Sequence, residues 1–193
     1  MSSLQSAPNY PFNPIQRLES LSCLLSVSLD ELRRVAATAS SSYRLAKPIT
    51  KPDGSIRQPF DALEPLKSIQ RRIKERILSN VVFPDYLTGS LKGQDAFKNA
   101  ELHANSKTVV CEDVAGFFPS TTSALVEKIW SEFFHFSSDV ALLLTQLTTK
   151  DGALPQGPLP VHISRISRSS RASMNCTFNC KAKESLTLDM WMT

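Results

Sequence analysis

The chain has 193 residues, of which 41% are hydrophobic, and it contains 10 Phe. That composition is sufficient for a buried core and excludes wholesale disorder, and the length fits one domain or one and a half. The opening residues are polar and Pro-rich, and the longest apolar run, VALLL at 140–144, is too short to cross a bilayer. We therefore expect a cytoplasmic protein without a secretory signal or a membrane span. The 4 Cys form no CxxC pair, so neither a zinc ribbon nor a disulfide framework is supported.

Positive charge is concentrated in two segments of the chain. The net charge is +4, with 12 Lys and Arg against 7 Asp and Glu in residues 43–107, and 5 against 2 in residues 158–193. The remainder is acidic. A basic segment beside an acidic one is typical of a protein that binds a polyanion on one surface and cations on another, although an ordinary solvated surface gives the same totals.

The first predicted elements are a helix and a hairpin. The motif SLDE at 28–31 has capping-box spacing, which predicts a helix that runs to about Ala37. Residues 46–60 then alternate polar and apolar side chains around a Pro-Asp-Gly turn, which predicts a hairpin. We expect its inward-facing residues to be Ile49 and Ile56, and its solvent-facing residues to be Lys51 and Arg57.

The basic segment continues as a predicted amphipathic helix over 63–78. Its apolar residues recur at three- and four-residue steps: Leu66, Ile69, Ile73 and Ile77. Its other faces carry the cations Lys67, Arg71, Arg72, Lys74 and Arg76. The next stretch, 86–107, is predicted to be a loop with two Gly that leads into a short helix.

A buried strand and two further helices are predicted next. VVC at 109–111 is typical of a buried strand, and it ends in the acids Glu112 and Asp113. An apolar stripe predicts a helix that begins near Thr121, and a third helix covers 139–148. The turn at 150–152 then leads into ALPQG. This order of elements indicates a mixed α/β, or α+β, fold.

Residues 158–193 differ in character from the rest of the chain. They show neither helical nor strand periodicity and are crowded with Ser, Arg and Lys. We expect an irregular segment, for which a disordered tail and a basic RNA-binding arm are both possible explanations.

Asp113 is the candidate metal ligand in the sequence. A carboxylate at the end of a strand has a fixed backbone and can meet a divalent ion together with a substrate phosphate, and magnesium prefers such oxygen ligands. An exposed acid that merely ends a strand is the alternative interpretation of this segment.

Blocks of sequence in a characteristic order cover residues 28–157. They are KPDGSIR (51–57), LKSIQRRI (66–73), GSLKGQDAFKNAELH (89–103), EDVAGFFPS (112–120) and LPQG (154–157). In this order the chain resembles the reverse transcriptases of the retron type and, secondarily, those of group II introns. The resemblance implies a right-hand polymerase fold with fingers and a partial palm. Its expected divisions are an N-terminal helical segment (1–42), a fingers-like basic segment with a hairpin (43–107), the first half of the palm (108–157) and an irregular tail (158–193).

The resemblance also implies roles for individual residues. Asp113 is similar to the first metal-binding aspartate of the palm, with the Val114 carbonyl as a second ligand, and Phe118 is similar to the aromatic residue that rejects a 2′-hydroxyl. The residues similar to those of the nucleotide-binding site are Lys51, Arg57, Phe118 and Gln156. The residues expected to contact RNA are Arg71, Arg72 and the NAxxH positions Asn99 and His103, of which the last two resemble a retron signature.

The implied chemistry is nucleotidyl transfer with two Mg²⁺ ions, in which a primer 3′-hydroxyl attacks the α-phosphate of a dNTP on an RNA template. The implied partners are dNTPs, a structured retron-type RNA that serves as template and primer, and an effector protein in some systems, with a role in defence against phage. Family members carry an adjacent aspartate pair in a Tyr-x-Asp-Asp hairpin. No such motif occurs in this sequence, so we expect the chain by itself to be inactive.

The tail has a second interpretation, as the product of a shifted reading frame. Met190, Trp191 and Met192 have single codons. Regrouping the last base of the Asp189 codon (T or C), then ATG TGG ATG, then the first two bases of the Thr193 codon (AC) gives Tyr or His, then Val-Asp-Asp. In the same register, codons for PLPVHISRI can be chosen that read APTSSYLAN after LPQG. A single-nucleotide loss after the Gly157 codon would account for both. The remaining alternatives are a non-catalytic RNA-binding module, a group II intron-type fragment, and a product that never folds stably because the apolar faces of 121–148 lack partners.

Overall fold

The computed structural model describes residues 7–50, 54, 56–84, 117–156 and the single positions 97, 100, 101, 104, 108, 163 and 166. In chain order its elements are α1 (Leu18–Leu25), α2 (Leu29–Ala37), β1 (Tyr43–Leu45), β2 (Ile49–Thr50), β3 (Ile56–Arg57), β4 (Phe60–Ala62), α3 (Leu66–Arg76), α4 (Phe117–Ser120), α5 (Ser123–Lys128), a π-helical segment (Ile129–Phe133) and α6 (Ser138–Thr148). Short 3-10 turns follow α2 (Ala39–Ser41) and α3 (Leu78–Asn80). This mixture of helices and small antiparallel sheets confirms the α+β class.

The N-terminal region contains two helices where the sequence predicted one. The predicted helix start is confirmed at α2, where Ser28 is the N-cap and its hydroxyl accepts a hydrogen bond from the Glu31 backbone N–H at 3.3 Å. The helix that the sequence did not predict, α1, begins after Arg17, which provides no side-chain cap, and ends at Ser26 in the left-handed conformation (φ 51°). Because α1 lacks a side-chain cap and has only eight residues, its sequence signal is weak.

Helix α6 lies at the centre of the helical core. It packs against α1, α2, α3 and α5. Seven of its 11 residues are buried, which is expected of a helix enclosed on most sides. The apolar faces of 121–148 therefore have packing partners within the described residues.

The strands form two separate antiparallel pairs, β1 with β4 and β2 with β3. In the first pair Leu45 lies opposite Phe60, and in the second Ile49 lies opposite Arg57. The hairpin prediction is confirmed, but the inward packing of its isoleucines is wrong, because Ile49 is 52% exposed and Ile56 71% exposed. Alternation predicts an inner face only when a second layer covers the ribbon, and the described residues supply none.

The helix predicted to begin near Thr121 is confirmed at its start, but it changes to a π-helical turn along its length. Thr122 is the N-cap of α5, and its hydroxyl accepts a hydrogen bond from the Leu125 N–H at 3.4 Å. After Lys128 the helix becomes a π-helical turn, in which the Phe134 N–H donates to the Ile129 carbonyl at 3.2 Å. The wider turn lets Trp130 stack with Phe134, with ring centroids 4.9 Å apart. Side-chain packing has overridden a simple helical period here.

Two described positions of the tail differ from the expectation for 158–193. Ile163 and Ile166 are helical, and both are fully buried in the core. The irregular conformation predicted for this segment is therefore wrong at these two positions. In the part of the chain that the structure describes, no helix has the length and apolar character needed to span a membrane.

Candidate nucleotide and RNA site

The loop that carries Gln156 begins with a tight hairpin turn. Asp151 (φ 50°) and Gly152 (φ 80°) both adopt positive φ, which a two-residue type I′ turn requires. The turn is closed by two backbone hydrogen bonds between Lys150 and Ala153, at 2.8 and 3.0 Å. The turn predicted at 150–152 is thus confirmed. It directs the following residues back toward the start of α5.

This loop is attached to the segment that contains Phe118. The Leu154 N–H donates to the Thr121 carbonyl at 2.9 Å, and the Thr121 N–H in turn donates to the Phe118 carbonyl at 3.1 Å. Phe118 is half-buried and packs against the hydrophobic core. Two backbone hydrogen bonds therefore connect the predicted sugar-contacting residue to the loop that ends in Gln156.

The same loop is also attached to strand β4. The Phe60 N–H, at the start of β4, donates to the Gln156 carbonyl at 3.1 Å. Arg57 lies at the end of β3, three residues before Phe60, and the structure describes only its backbone. The structure therefore brings the backbone of Gln156 next to β4, and Leu154, two residues earlier, next to the segment that contains Phe118.

Several predicted site residues lie outside the described residues, and their predictions stay predictions. They are Lys51, Asn99, His103, Asp113 and Val114. Within the described ranges no group of three or more His, Cys, Asp or Glu is placed to hold a metal ion. The described residues thus offer no alternative metal centre to the one predicted at Asp113.

The cations of α3 are divided between two environments. Arg72 donates from Nη1 to the Leu25 carbonyl at 2.9 Å and to the Ser26 carbonyl at 2.7 Å. Arg76 donates to the Leu24 carbonyl at 2.5 Å and to the Ser26 hydroxyl at 2.7 Å. These two arginines hold the C-terminal end of α1, which has no basic residue in its own last turn.

The other cations of α3 form what we call the α3 stripe: Lys67, Arg71 and Lys74. Their spacing places them along one side of the helix, where Lys67 and Arg71 are exposed and Lys74 is half-buried. Glu64 lies one turn before Lys67, and its pKa lies below the ordinary value mainly because Ser68 hydrogen-bonds to its carboxylate, with Arg71 and Lys67 acting in the same direction. The stripe retains a net positive charge.

Sequence reasoning missed the structural role of Arg72 and Arg76. It treated all cations of α3 alike, because periodicity separates a helix's apolar face from its polar faces but does not indicate which polar face meets another helix. A sequence signal for this contact existed only indirectly, in the lack of a basic residue at the end of α1.

Comparison with known proteins supports the resemblance. No protein-family model matches the chain. It is 35% identical over 150 residues to the Retron Se72 reverse transcriptase of Salmonella heidelberg, a match that covers 78% of this chain and 40% of that protein. It is 32% identical over 157 residues to the Retron Ec48 reverse transcriptase of Escherichia coli, covering 76% and 38%, and 25% identical over 146 residues to the Retron Ec86 reverse transcriptase of Escherichia coli, covering 74% and 45%.

These matches place the chain, by sequence similarity, among the reverse transcriptases. Within that class the chain is of the retron type, since the relatives it matches over about three quarters of its length bear that name. The chain spans about two fifths of the length of these relatives.

Proposed function

We propose that this chain forms the fingers and the first part of the palm of a retron-type reverse transcriptase, which adds dNTPs to a primer on an RNA template. The observation that carries this proposal is the hydrogen bond from Phe60 to the Gln156 carbonyl. It joins the fingers-like strands to the loop that is expected to line the nucleotide pocket. Two segments that are far apart in sequence, and to which the resemblance assigns roles in nucleotide binding, are therefore joined by a hydrogen bond.

At this junction the proposed pocket has a triphosphate end and a sugar end. Lys51 and Arg57 on the hairpin would offset the negative charge of the triphosphate, and Phe118 would contact the sugar. Asp113 and the Val114 carbonyl would hold Mg²⁺, since both are the hard oxygen ligands that this ion prefers. When bound, the metal would activate the primer hydroxyl and neutralise charge on the phosphates.

The chain as printed is expected to incorporate no dNTP, because its sequence contains no Tyr-x-Asp-Asp motif to complete the metal site around Asp113. Primer extension on an RNA template tests this, with Asp113→Ala as the background control. Metal-dependent product above that control would refute the expectation. Restoring one base after the Gly157 codon should restore activity, and sequencing beyond the Thr193 codon should reveal a polymerase in the other register if a frame was lost.

A second candidate function, RNA binding without catalysis, is favoured by the α3 stripe. Three phosphate contacts account for a slope of about −2 to −3 in log K against log salt. We therefore expect the slope to become less negative by about that amount in the triple variant Lys67→Gln/Arg71→Gln/Lys74→Gln. The slope is measured from the fluorescence anisotropy of a fluorescein-labelled RNA hairpin titrated with protein between about 50 and 200 mM salt.

The matched control for this experiment removes the same charge elsewhere. Arg33, Arg34 and Lys128 are exposed and lie on other helices. Their triple Gln variant should keep the slope of the unmodified protein. Equal losses in both triple variants would mean that only net charge matters. RNA binding without any dNTP binding would favour the non-catalytic module over the polymerase.

A further inference from the structure

Lys150 is a cation that is largely withdrawn from solvent. Its side chain is only 19% exposed, and its ammonium lies 4.9 Å from the centroid of the Phe60 ring. The ammonium also contacts the carboxylate of Asp151, which is itself 69% exposed. A lysine in an ordinary surface turn keeps its charged end in water. The position of Lys150 over an aromatic ring therefore requires a specific explanation.

Phe60 is linked to both ends of the same loop. Its backbone N–H donates to the Gln156 carbonyl at 3.1 Å, and its ring receives the ammonium of Lys150. Phe60 also pairs with Leu45 in the β1–β4 ribbon. One residue of the fingers-like strands therefore contacts the first and the last residue of the loop 150–156.

A single hydrogen bond fixes a distance but leaves the two segments free to rotate about it. A cation over a ring adds a second, separate contact, because the negative face of the ring attracts the ammonium. With both contacts present, β4 and the loop have a fixed separation and a more restricted relative orientation. The Asp151 carboxylate keeps the ammonium at this position from the solvent side.

We propose that Lys150 is a positioning residue that clasps β4 to the loop 150–156 and thereby sets the width of the nucleotide pocket between Arg57 and Gln156. This inference rests on the proposed function, since it takes the junction to be the dNTP site. Lys150 acts through Phe60 and Gln156, and it is not itself a ligand of the nucleotide, because its ammonium is already engaged by the Phe60 ring and the Asp151 carboxylate.

The first test measures the clasp directly in the full chain by amide hydrogen exchange. In Lys150→Met the protection of the Phe60 N–H should fall about fivefold, which corresponds to the loss of a partly buried cation–π contact. The Leu154 N–H, bonded to Thr121 on the palm side, should keep its protection. Lys150→Arg should preserve Phe60 protection because a guanidinium also stacks on aromatic faces. Unchanged Phe60 protection in Lys150→Met would overturn the clasp.

The second test measures the binding of dTTP with Mg²⁺ by calorimetry. Lys150→Met should weaken binding about fivefold, Lys150→Arg should retain it, and the exposed-lysine control Lys128→Met should have no effect. Phe60→Leu, which removes the ring and keeps every charge, should reproduce the loss and guards against a folding defect in the first variant.

The outcomes separate this inference from the proposed function. An unmodified protein that binds no dTTP contradicts the pocket, and the positioning role with it. If the unmodified protein and Lys150→Met bind dTTP equally tightly, the pocket stands and only the positioning role is overturned. A third outcome is that Lys150→Met and Lys150→Arg lose dTTP binding while Phe60→Leu keeps it. That result would mean that Lys150 contacts the nucleotide directly, and it would also overturn the positioning role.

Discussion

Two adjacent arginines of α3 are expected to have separable effects. Arg72 faces α1 and donates to the carbonyls of Leu25 and Ser26, at 2.9 and 2.7 Å, whereas Arg71 is exposed on the α3 stripe. We predict that Arg72→Gln lowers the free energy of unfolding without changing the salt dependence of RNA binding. Arg71→Gln should have the opposite effect, a weaker salt dependence with nearly unchanged stability.

The size of the stability effect follows from the contacts. A hydrogen bond from a charged donor contributes about 1.5–3 kcal/mol when buried, and a cation at a helix C-terminus about 0.3–1 kcal/mol. Because one carbonyl is partly buried and the other exposed, we expect a total of about 2 kcal/mol for Arg72. With a urea m-value of about 2 kcal/mol per molar, the midpoint should fall by about 1 M.

Urea unfolding monitored by tryptophan fluorescence measures this difference, since Trp130 is fully buried in the core. Arg71→Gln serves as the matched control, because it makes the same substitution one residue away. The same two proteins are then titrated with the RNA hairpin at several salt concentrations. Equal urea midpoints for the two variants, or an equal loss of salt slope, would refute the division of roles drawn from the structure.

Three further predictions concern single side chains. Gln70 is buried and donates hydrogen bonds to the Tyr43 hydroxyl and the Leu147 carbonyl, each at 2.8 Å. Gln70→Leu should therefore lower the free energy of unfolding in urea by about 2 kcal/mol and raise the pKa of Tyr43 further in an ultraviolet titration. The control Gln16→Leu loses one exposed hydrogen bond and should lower the free energy of unfolding by less than about 0.5 kcal/mol. Phe118→Ala should narrow the affinity difference between dCTP and CTP by about tenfold, and an unchanged ratio would contradict its proposed contact with the sugar. Because the pKa of Glu64 is lowered in the folded chain, its carboxylate contributes to stability above the ordinary pKa of 4.5, and this contribution is lost as the pH falls through the lower folded value. Glu64→Gln should therefore flatten the acid side of a plot of unfolding free energy against pH. An unchanged acid side would contradict this prediction.

Local signals in the sequence were sufficient for the elements that depend on neighbouring residues. The N-cap at Ser28, the apolar stripe of α3 and the turn at Asp151 and Gly152 are each determined by interactions within a few positions. The ordered blocks from KPDGSIR to LPQG were likewise sufficient for the retron-type resemblance, which the comparisons support.

Contacts between distant segments were decided only in the tertiary structure. The sequence did not indicate that Arg72 and Arg76 hold the end of α1, or that Phe60 meets both Lys150 and Gln156. The physical reason is that periodicity defines the apolar side of an element, whereas the partner of each polar group depends on which segments the core brings together. The exposed isoleucines of the β2–β3 hairpin illustrate the same limit, since alternation alone does not show whether a second layer exists to cover them.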